Sequence, residues 1–240
     1  MARGDLYFRA AAGLLEAVRQ GGVAFELVYG SGMFDYFSRH AEQERAFQES
    51  MAFRARQEAS DVVTAYDFGR FRRLVDVGGG SGVLLTAILH AAPDLRGVLF
   101  DRPAVVDAAR PAIDLAGVGD RCETVGGDFF VSLPPGADAY LLSRVLHDWD
   151  DMAALDILGS CHRAMGPDGT VLVVEAVLPE RAEENPAAIR MDLHMLMLTT
   201  GRERTRAEFE RLLEGAGFRP RRLVATASTV GLAVIEATRV

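Results

Sequence analysis

Glycines cluster at one point of the chain, in the run LVDVGGGSG at 74–82. The apolar residues before them predict a buried parallel strand, and those of 83–91 repeat at helical spacing. Without Cβ atoms, Gly78 and Gly80 can take positive φ and let a ligand lie against bare backbone at a helix N-terminus. A dinucleotide fingerprint would need a third glycine where Val83 stands, which argues against NAD. The turn indicates a nucleotide or nucleoside site, although it could also serve close packing alone.

Acidic and aromatic residues follow the next two predicted strands. Asp101 ends the strand 97–101, about twenty residues after the glycines, where an acid can accept both ribose hydroxyls of a nucleoside. Since Pro103 follows, Asp101 could instead mark a helix N-terminus. Asp128 and Phe129 follow the strand 121–125. Because ligands of open α/β sheets bind at the carboxyl ends of strands, three neighbouring strand ends offer partners for a nucleoside.

The elements that must position these residues alternate regularly. Further strands at 139–143 and 170–174, the second delivering Glu175 at its tip, are separated by helices and complete a doubly wound parallel sheet. Two β-rich segments at 222–227 and 232–238 predict a terminal hairpin, which adds an antiparallel strand. The fold class is therefore α/β, mainly parallel, with an antiparallel C-terminal strand.

The N-terminal part lacks strand signals. A helix is predicted over 5–20, ending at Gly21 and Gly22, and a second helical region over 35–66, interrupted near 40–42. We expect residues 1–68 to form a helical collar and residues 69–240 to form the domain with the sheet.

Composition limits the class of protein. The chain has 240 residues, 49% of them hydrophobic, and a net charge of −8, which opposes a nucleic-acid partner. No apolar run approaches the roughly 20 residues that span a bilayer, and the N-terminus lacks a signal peptide, so a cytoplasmic protein without membrane contact is expected. Cys122 and Cys161 lack metal-ligand spacing, so buried thiols are expected, and no metal is predicted.

A sheet with a G-x-G turn, an acid after the second strand and Gly-Asp after the third is the pattern of S-adenosylmethionine-dependent methyltransferases. The chain resembles the caffeic acid and acetylserotonin O-methyltransferase family and its bacterial polyketide-tailoring relatives. The resemblance rests on LVDVGGGSG at 74–82, FDRP at 100–103, GDFF at 127–130, LLSRVLHDWDD at 141–151, VLVVEAVLP at 171–179 and GRERTRAEF at 201–209. It implies a class I methyltransferase (Rossmann-like) fold, S-adenosylmethionine as cofactor and a small aromatic acceptor with a hydroxyl group.

The resemblance also assigns residues that contact the cofactor. They are Gly78 and Gly80 at the methionine moiety, Asp101 at the ribose, Asp128 and Phe129 at the adenine, and Ser143 and Trp149 in the lining of the pocket. For Trp149, a place in the core is an equally good interpretation.

The family's general base is the histidine of the HDW triplet, His147 here, and its two flanking acids match Glu175 and Glu203. A phenol, with a pKa of about 10, is mostly protonated at neutral pH, whereas an imidazole with a pKa of about 6.5 is largely free to accept its proton. A carboxylate on the other ring nitrogen would fix the tautomer and stabilise the imidazolium. Glu203 could instead be an acid favoured by its place before a helix N-terminus.

The sequence departs from this family in one respect. Family members carry an N-terminal winged-helix-like domain that dimerises and walls the acceptor pocket, and this chain starts after it. We therefore expect a homodimer or a partner subunit that supplies such a domain. Besides methylation, the sequence leaves open a family member that hydroxylates or decarboxylates, and a catalytically silent cofactor-binding subunit.

Overall fold

An eight-stranded sheet forms the centre of the computed structural model, which describes residues 2–240. Its strands are β1 (Arg73–Val77), β2 (Arg96–Asp101), β3 (Cys122–Gly126), β4 (Ala139–Ser143), β5 (Thr170–Leu178), β6 (Arg204–Thr205), β7 (Phe218–Ala225) and β8 (Leu232–Arg239). The order of the strands is β3-β2-β1-β4-β5-β8-β7. The short β6 is not part of this order and pairs with the end of β5. Strands β1 to β5 are parallel to one another, and β8 runs antiparallel between β5 and β7. The predicted fold class is confirmed.

Five helices connect the strands: α6 (Val83–Ala91), α7 (Pro103–Leu115), α8 (Asp151–Ala164), α9 (Pro186–Leu198) and α10 (Arg206–Gly215). Helix α10 begins at a capping box, in which the Thr205 hydroxyl and the Glu208 carboxylate each accept a backbone N–H of the other residue. Strand residues alternate between two apolar layers: Leu74 faces a cluster with α6, while Val75 and Val77 face one with α8 and α10. Because helices cover both faces of the sheet, the functional groups lie at the carboxyl ends of its strands.

The N-terminal part consists of α1 (Ala2–Ala12), α2 (Leu14–Gln20), α3 (Ala24–Tyr29), α4 (Met33–Ser38) and α5 (Ala41–Ala65). Phe25 and Phe37 are fully buried among α1 to α4 and the end of α9. Ala59 and Val62 attach α5 to the layer that contains α6. The expected helices are present, whereas the boundary between a collar of residues 1–68 and a domain of residues 69–240 stays a prediction.

Two elements differ from the expectation. The helix expected over 5–20 is broken at Gly13, where a Cβ atom would lie 2.9 Å from Cγ2 of Val28, so glycine permits the close approach of α3. Strand β5 does not end before Glu175 but continues to Leu178. Strand β8 pairs with it as far as Ala176, with Glu175 opposite Ala233, and β6 pairs with Val177 and Leu178. Glu175 is thus a buried residue inside a strand rather than at its tip.

Neither cysteine forms a disulfide: Cys161 is buried in α8, and Cys122 is only partly buried on β3. No helix within residues 2–240 combines the length and the apolar character needed to cross a membrane.

Candidate active site

The glycine turn between β1 and α6 has the conformation that its sequence predicts. Gly78, Gly80 and Gly82 have φ angles of 70°, 58° and 72°, which are unfavourable for residues with a Cβ atom. The N–H of Gly78 donates to the carbonyl of Phe100 on β2, at 2.8 Å. The turn therefore exposes bare backbone at the carboxyl ends of β1 and β2.

Asp101 lies directly against this turn. Its Oδ2 accepts the N–H of Gly80 at 2.9 Å, and its Oδ1 accepts the N–H of Arg102 at 2.7 Å. Burial raises the pKa of the Asp101 carboxyl, and these two hydrogen bonds oppose the rise. The structure brings Asp101 together with Gly80, as a site that holds a methionine moiety and a ribose requires.

Asp76 lies beneath the same turn, and sequence reasoning missed it. Its carboxyl group is 1% exposed and has no hydrogen-bond partner among the described residues. A Cβ atom on Gly79 would come within 2.5 Å of Asp76 Oδ2, so the carboxyl packs tightly under the turn. Burial, with a contribution from Asp101, raises the pKa of Asp76 to about 7.

Aromatic rings gather beyond the end of β3. Phe129 and Phe130 contact Trp149 edge to face at centroid distances of 6.0 and 4.8 Å, and Phe34 of α4 stacks on Trp149 at 5.8 Å. Asp128 is exposed, and its Oδ1 accepts the N–H of Phe130 at 2.9 Å, which fixes the turn after β3. The structure thus joins Phe129 and Trp149 in one half-buried cluster, a suitable surface for an adenine ring.

Ser143 is the last residue of β4, where it lies opposite Val174 of β5. Its place at a carboxyl end, next to the strand that carries the glycine turn, agrees with the cofactor-contacting position that the resemblance implies.

The N-terminal helices close over this edge of the sheet. Besides the stack of Phe34 on Trp149, Glu44 of α5 pairs with Arg102 at 2.6 Å. Glu58, two turns before the end of α5, accepts from Arg144 at 3.0 Å. These contacts place α4 and α5 across the ends of β1, β2 and β4.

His147 lies in a single 3-10 turn, 146–148, shortly after β4. Its side chain is buried, and Nδ1 lies 2.9 Å from Oε1 of Glu203, a hydrogen-bond distance. Glu203 is 1% exposed and belongs to the loop before α10. The expected contact between the histidine and one of its flanking acids is therefore present.

Glu175 acts on the backbone. Its Oε1 accepts the N–H groups of Val145 and His147, at 3.0 and 3.3 Å, while its Oε2 is 3.7 Å from Nδ1 of His147. Glu175 thus holds the turn that carries the histidine, and Glu203 makes the direct contact with the ring.

The charges around His147 change its expected protonation state. Burial alone lowers the pKa of His147, but the carboxylates of Glu175, Asp148 and Glu203 outweigh it and raise the pKa to about 9. For the carboxyl of Glu203, burial raises the pKa, but the positive charges of His147 and Arg144 outweigh burial and lower it. A pKa of about 9 keeps the imidazole mostly protonated at neutral pH, not largely free base, because the fold gathers three acids around it.

The group of His147, Glu175 and Glu203 also has the compactness of a metal site, since one ligand atom from each lies within 4.8 Å of the others. However, Glu175 Oε1 is occupied by two backbone N–H groups, and the guanidinium of Arg144 lies 3.5 Å from Glu203. A guanidinium cation is therefore already built into this cluster. The sequence-based expectation that no metal binds stays a prediction.

Two further residues hold the segment that carries His147, and sequence reasoning missed both. Arg204, whose side chain is fully buried, donates to the carbonyls of Leu146 and Trp149 and to the carboxylate of Asp151. Gly201 lies so close to this segment that a Cβ atom would come within 2.0 Å of the His147 carbonyl. The motif GRERT contains the signal for both, since Gly201 and Arg204 lie on either side of Glu203.

The residues present fit S-adenosylmethionine. A methionine moiety would lie on the bare backbone at Gly78 and Gly80, and a ribose at the carboxylate that ends the next strand. An adenine would lie on the half-buried aromatic cluster after the third strand end. Together with the antiparallel β8 in an otherwise parallel arrangement, this site defines a class I methyltransferase domain.

Comparison with known proteins specifies the family. The family model described as "O-methyltransferase domain" matches residues 12–219, and the chain belongs to that family. Its members use S-adenosylmethionine, which is present in one of the similar structures below.

Three similar proteins define the comparison. The chain is 47% identical to "Phenazine O-methyltransferase PhzM" of Lysobacter antibioticus, over 98% of this chain and 68% of the relative. It is 39% identical to "Phenazine-1-carboxylate N-methyltransferase" of Pseudomonas aeruginosa, over 87% and 63%. The crystal structure of the O-methyltransferase NcsB1 from neocarzinostatin biosynthesis, in complex with S-adenosylmethionine and 2-hydroxy-5-methyl naphthoic acid, superposes with a TM-score of 0.87 at 35% identity, over 99% of this chain and 70% of that one. The chain thus spans about two thirds of the length of these proteins.

Proposed function

We propose that this chain transfers the methyl group of S-adenosylmethionine to a hydroxyl group of a small aromatic acceptor, with His147 as general base. The observation that carries this proposal is the contact of 2.9 Å between His147 Nδ1 and Glu203 in a site that fits the cofactor. The naphthoic acid bound to the similar NcsB1 structure supports an aromatic acceptor.

The contact with Glu203 decides which nitrogen can act. A carboxylate accepts, so Nδ1 carries a proton and the neutral ring has its lone pair on Nε2. A hydroxyl proton would therefore be transferred to Nε2, and the resulting imidazolium would be stabilised by Glu203, the nearest carboxylate. Asp148 Oδ1, 3.7 Å from Nε2, is too far for a hydrogen bond and leaves this nitrogen available.

The charges around His147 determine when its imidazole can accept a proton. S-adenosylmethionine would supply an electrophilic methyl group on a positively charged sulfur, and a positive charge brought close to an imidazolium favours loss of its proton. The carboxylates around His147 hold a proton on its imidazole. We therefore expect a bound cation to lower the pKa of His147.

The acceptor atom is tested by label transfer. We would incubate the chain with S-adenosylmethionine labelled in its methyl group, together with phenols, hydroxynaphthoates and matched aromatic amines. Label in the phenol products, with one S-adenosylhomocysteine formed per product, supports the proposal. Transfer only to nitrogen would instead indicate N-methylation, the class of reaction in the name of the phenazine-1-carboxylate N-methyltransferase relative.

The same experiment separates methyl transfer from cofactor binding alone and from hydroxylation or decarboxylation. A catalytically silent subunit would bind the labelled cofactor without transfer to any acceptor. A hydroxylating or decarboxylating member would change the mass of the acceptor without taking up label. Either outcome would overturn the proposed reaction while leaving the cofactor site intact.

We also propose that the N-terminal helices associate with a second copy or a partner subunit. Phe8 of α1 and Leu15 and Val18 of α2 are 79%, 63% and 61% exposed, an amount of apolar surface that association would bury. Light scattering tests this, and a strict monomer at high protein concentration, without a bound partner, would contradict it.

A further inference from the structure

Arg144 has an unusual backbone conformation at the entrance to the catalytic turn. With φ of 57°, it is the one non-glycine residue with positive φ in the described part of the chain. This region is disfavoured for long side chains and is typically retained where the surroundings impose it. Here the N–H of Arg144 donates to the carbonyl of Val174 on β5, at 3.0 Å, which fixes the residue just after β4.

This conformation directs a charged side chain inward, between two acids. The Arg144 side chain is 12% exposed, its Nη2 donates to Glu58 at 3.0 Å, and its Nη1 lies 3.5 Å from Oε1 of Glu203. That same oxygen of Glu203 is the one in contact with Nδ1 of His147. One guanidinium therefore connects helix α5 with the acid that orients the histidine.

The surrounding charges show why a cation is needed there. Glu175 from β5 and Asp148 from the 3-10 turn bring negative charge to His147, in addition to Glu203. Around Glu203, the further charged groups are Arg54 of α5 and Asp192 of α9, whose Oδ1 accepts the Glu203 N–H. Arg144 is one of the few cations that face these buried carboxylates, so its loss would leave them less compensated, at a cost of desolvation for each.

We propose that Arg144 is a positioning residue for methyl transfer: its guanidinium, anchored by Glu58, holds Glu203 in place as the anion that accepts the hydrogen bond from Nδ1–H of His147. This inference rests on the proposed function, in which His147 is the base. It assigns to α5 a part in the chemistry, because the anchor of the guanidinium belongs to that helix.

The role has a specific electrostatic consequence. Removing the positive charge leaves the carboxylates around His147 less compensated, so the imidazolium becomes harder to deprotonate. The free-base fraction at neutral pH falls, and the pH at which turnover begins to rise moves upward. A merely structural role would lower turnover at every pH alike.

The test compares three variants with the wild-type chain. Arg144→Asn removes the charge with a residue that tolerates positive φ, Arg144→Lys keeps the charge, and Glu58→Gln removes only the anchor. We would measure kcat against pH with labelled cofactor, the cofactor Kd by calorimetry, and the pKa of His147 by NMR.

We expect Arg144→Asn to lower kcat at pH 7 by roughly 10- to 100-fold, the scale of a weakened general base, with cofactor Kd within about twofold of wild type. Its turnover profile and the pKa of His147 should both shift upward by about one unit. Arg144→Lys should restore most of the turnover, and Glu58→Gln should cost a few-fold.

Wild-type kcat and pH profile in Arg144→Asn, or equal losses in Arg144→Asn and Arg144→Lys, would overturn the inference. If Arg144→Asn does not fold, the double variant Arg144→Asn with Glu58→Gln, which leaves no unpaired acid at position 58, takes its place. Failure of the proposed function is distinguishable, because a wild-type chain without label transfer still allows the NMR comparison of His147.

Discussion

Replacing Gly201 with alanine should damage the catalytic site without touching any reacting group. The added Cβ atom would lie 2.0 Å from the carbonyl oxygen of His147 and 2.4 Å from backbone atoms of Asp148 and Trp149. These are backbone atoms, so no side-chain rotation relieves the overlap. The loop that carries Glu203 must move away from the turn that carries His147.

The size of that movement follows from the geometry. Ordinary contact begins at 3.4 Å, and the present separation of 2.0 Å requires about 1.4 Å of displacement. Such a displacement would stretch the 2.9 Å contact between His147 and Glu203 beyond hydrogen-bonding range. A misplacement of about 1 Å costs about 100-fold in rate, and overpacking costs about 1–3 kcal/mol of stability.

Steady-state methyl transfer and thermal unfolding check this prediction. We expect kcat to fall by about 100-fold and the cofactor Kd to rise less, because Trp149 is the one expected cofactor contact among the backbone atoms that the new Cβ meets. Gly166→Ala is the matched control, since its Cβ atom would meet nothing within 4 Å and its φ is not positive. Wild-type turnover in Gly201→Ala would refute the close packing on which the site depends.

Four further outcomes follow from the structure. The pKa of Asp76 is raised from 3.8 to about 7, so the folded state retains this proton and the free energy of unfolding falls as the pH rises from about 4 to about 7. Asp76→Asn should lack that fall. In urea unfolding at pH 8 the variant should be more stable than the wild-type chain, by up to about 4 kcal/mol. Asp101→Ala should weaken cofactor binding by roughly tenfold or more in calorimetry, since it removes the proposed acceptor for the ribose hydroxyls and the hydrogen bond to Gly80; unchanged affinity would contradict the proposed role. An NMR titration of His147 should give a pKa near 9 without ligand, and S-adenosylmethionine should lower it more than the uncharged S-adenosylhomocysteine does. Thr205→Ala should cost about 1 kcal/mol of stability by removing the cap of α10, with turnover little changed.

Local patterns in the sequence predict the parts of the site that one stretch of chain builds alone. The glycine turn, the acid at the end of β2 and the capping box at Thr205 each depend on a few consecutive residues, and all three are present. The antiparallel β8 is predictable because a short hairpin cannot form a parallel crossover.

Features that join distant segments escape such patterns. Arg144 bridges Glu58, which lies 86 residues before it in the chain, and Glu203, which lies well after it. No local spacing in the sequence therefore predicts these contacts. The raised pKa of His147 has the same origin, since its carboxylates come from a strand, a loop and the turn itself. The position of Glu175 inside β5 rather than at its tip also depends on a distant segment, because pairing with β8 extends the strand.

The central claim is that His147 removes the proton from the acceptor while the glycine turn and its neighbours hold the cofactor. The most direct measurement compares kcat and cofactor Kd in His147→Ala, with the exposed His90→Ala as control. The account predicts a loss of about 100-fold or more in kcat for His147→Ala, a cofactor Kd nearly unchanged, and wild-type values for His90→Ala. Wild-type turnover in His147→Ala would contradict it.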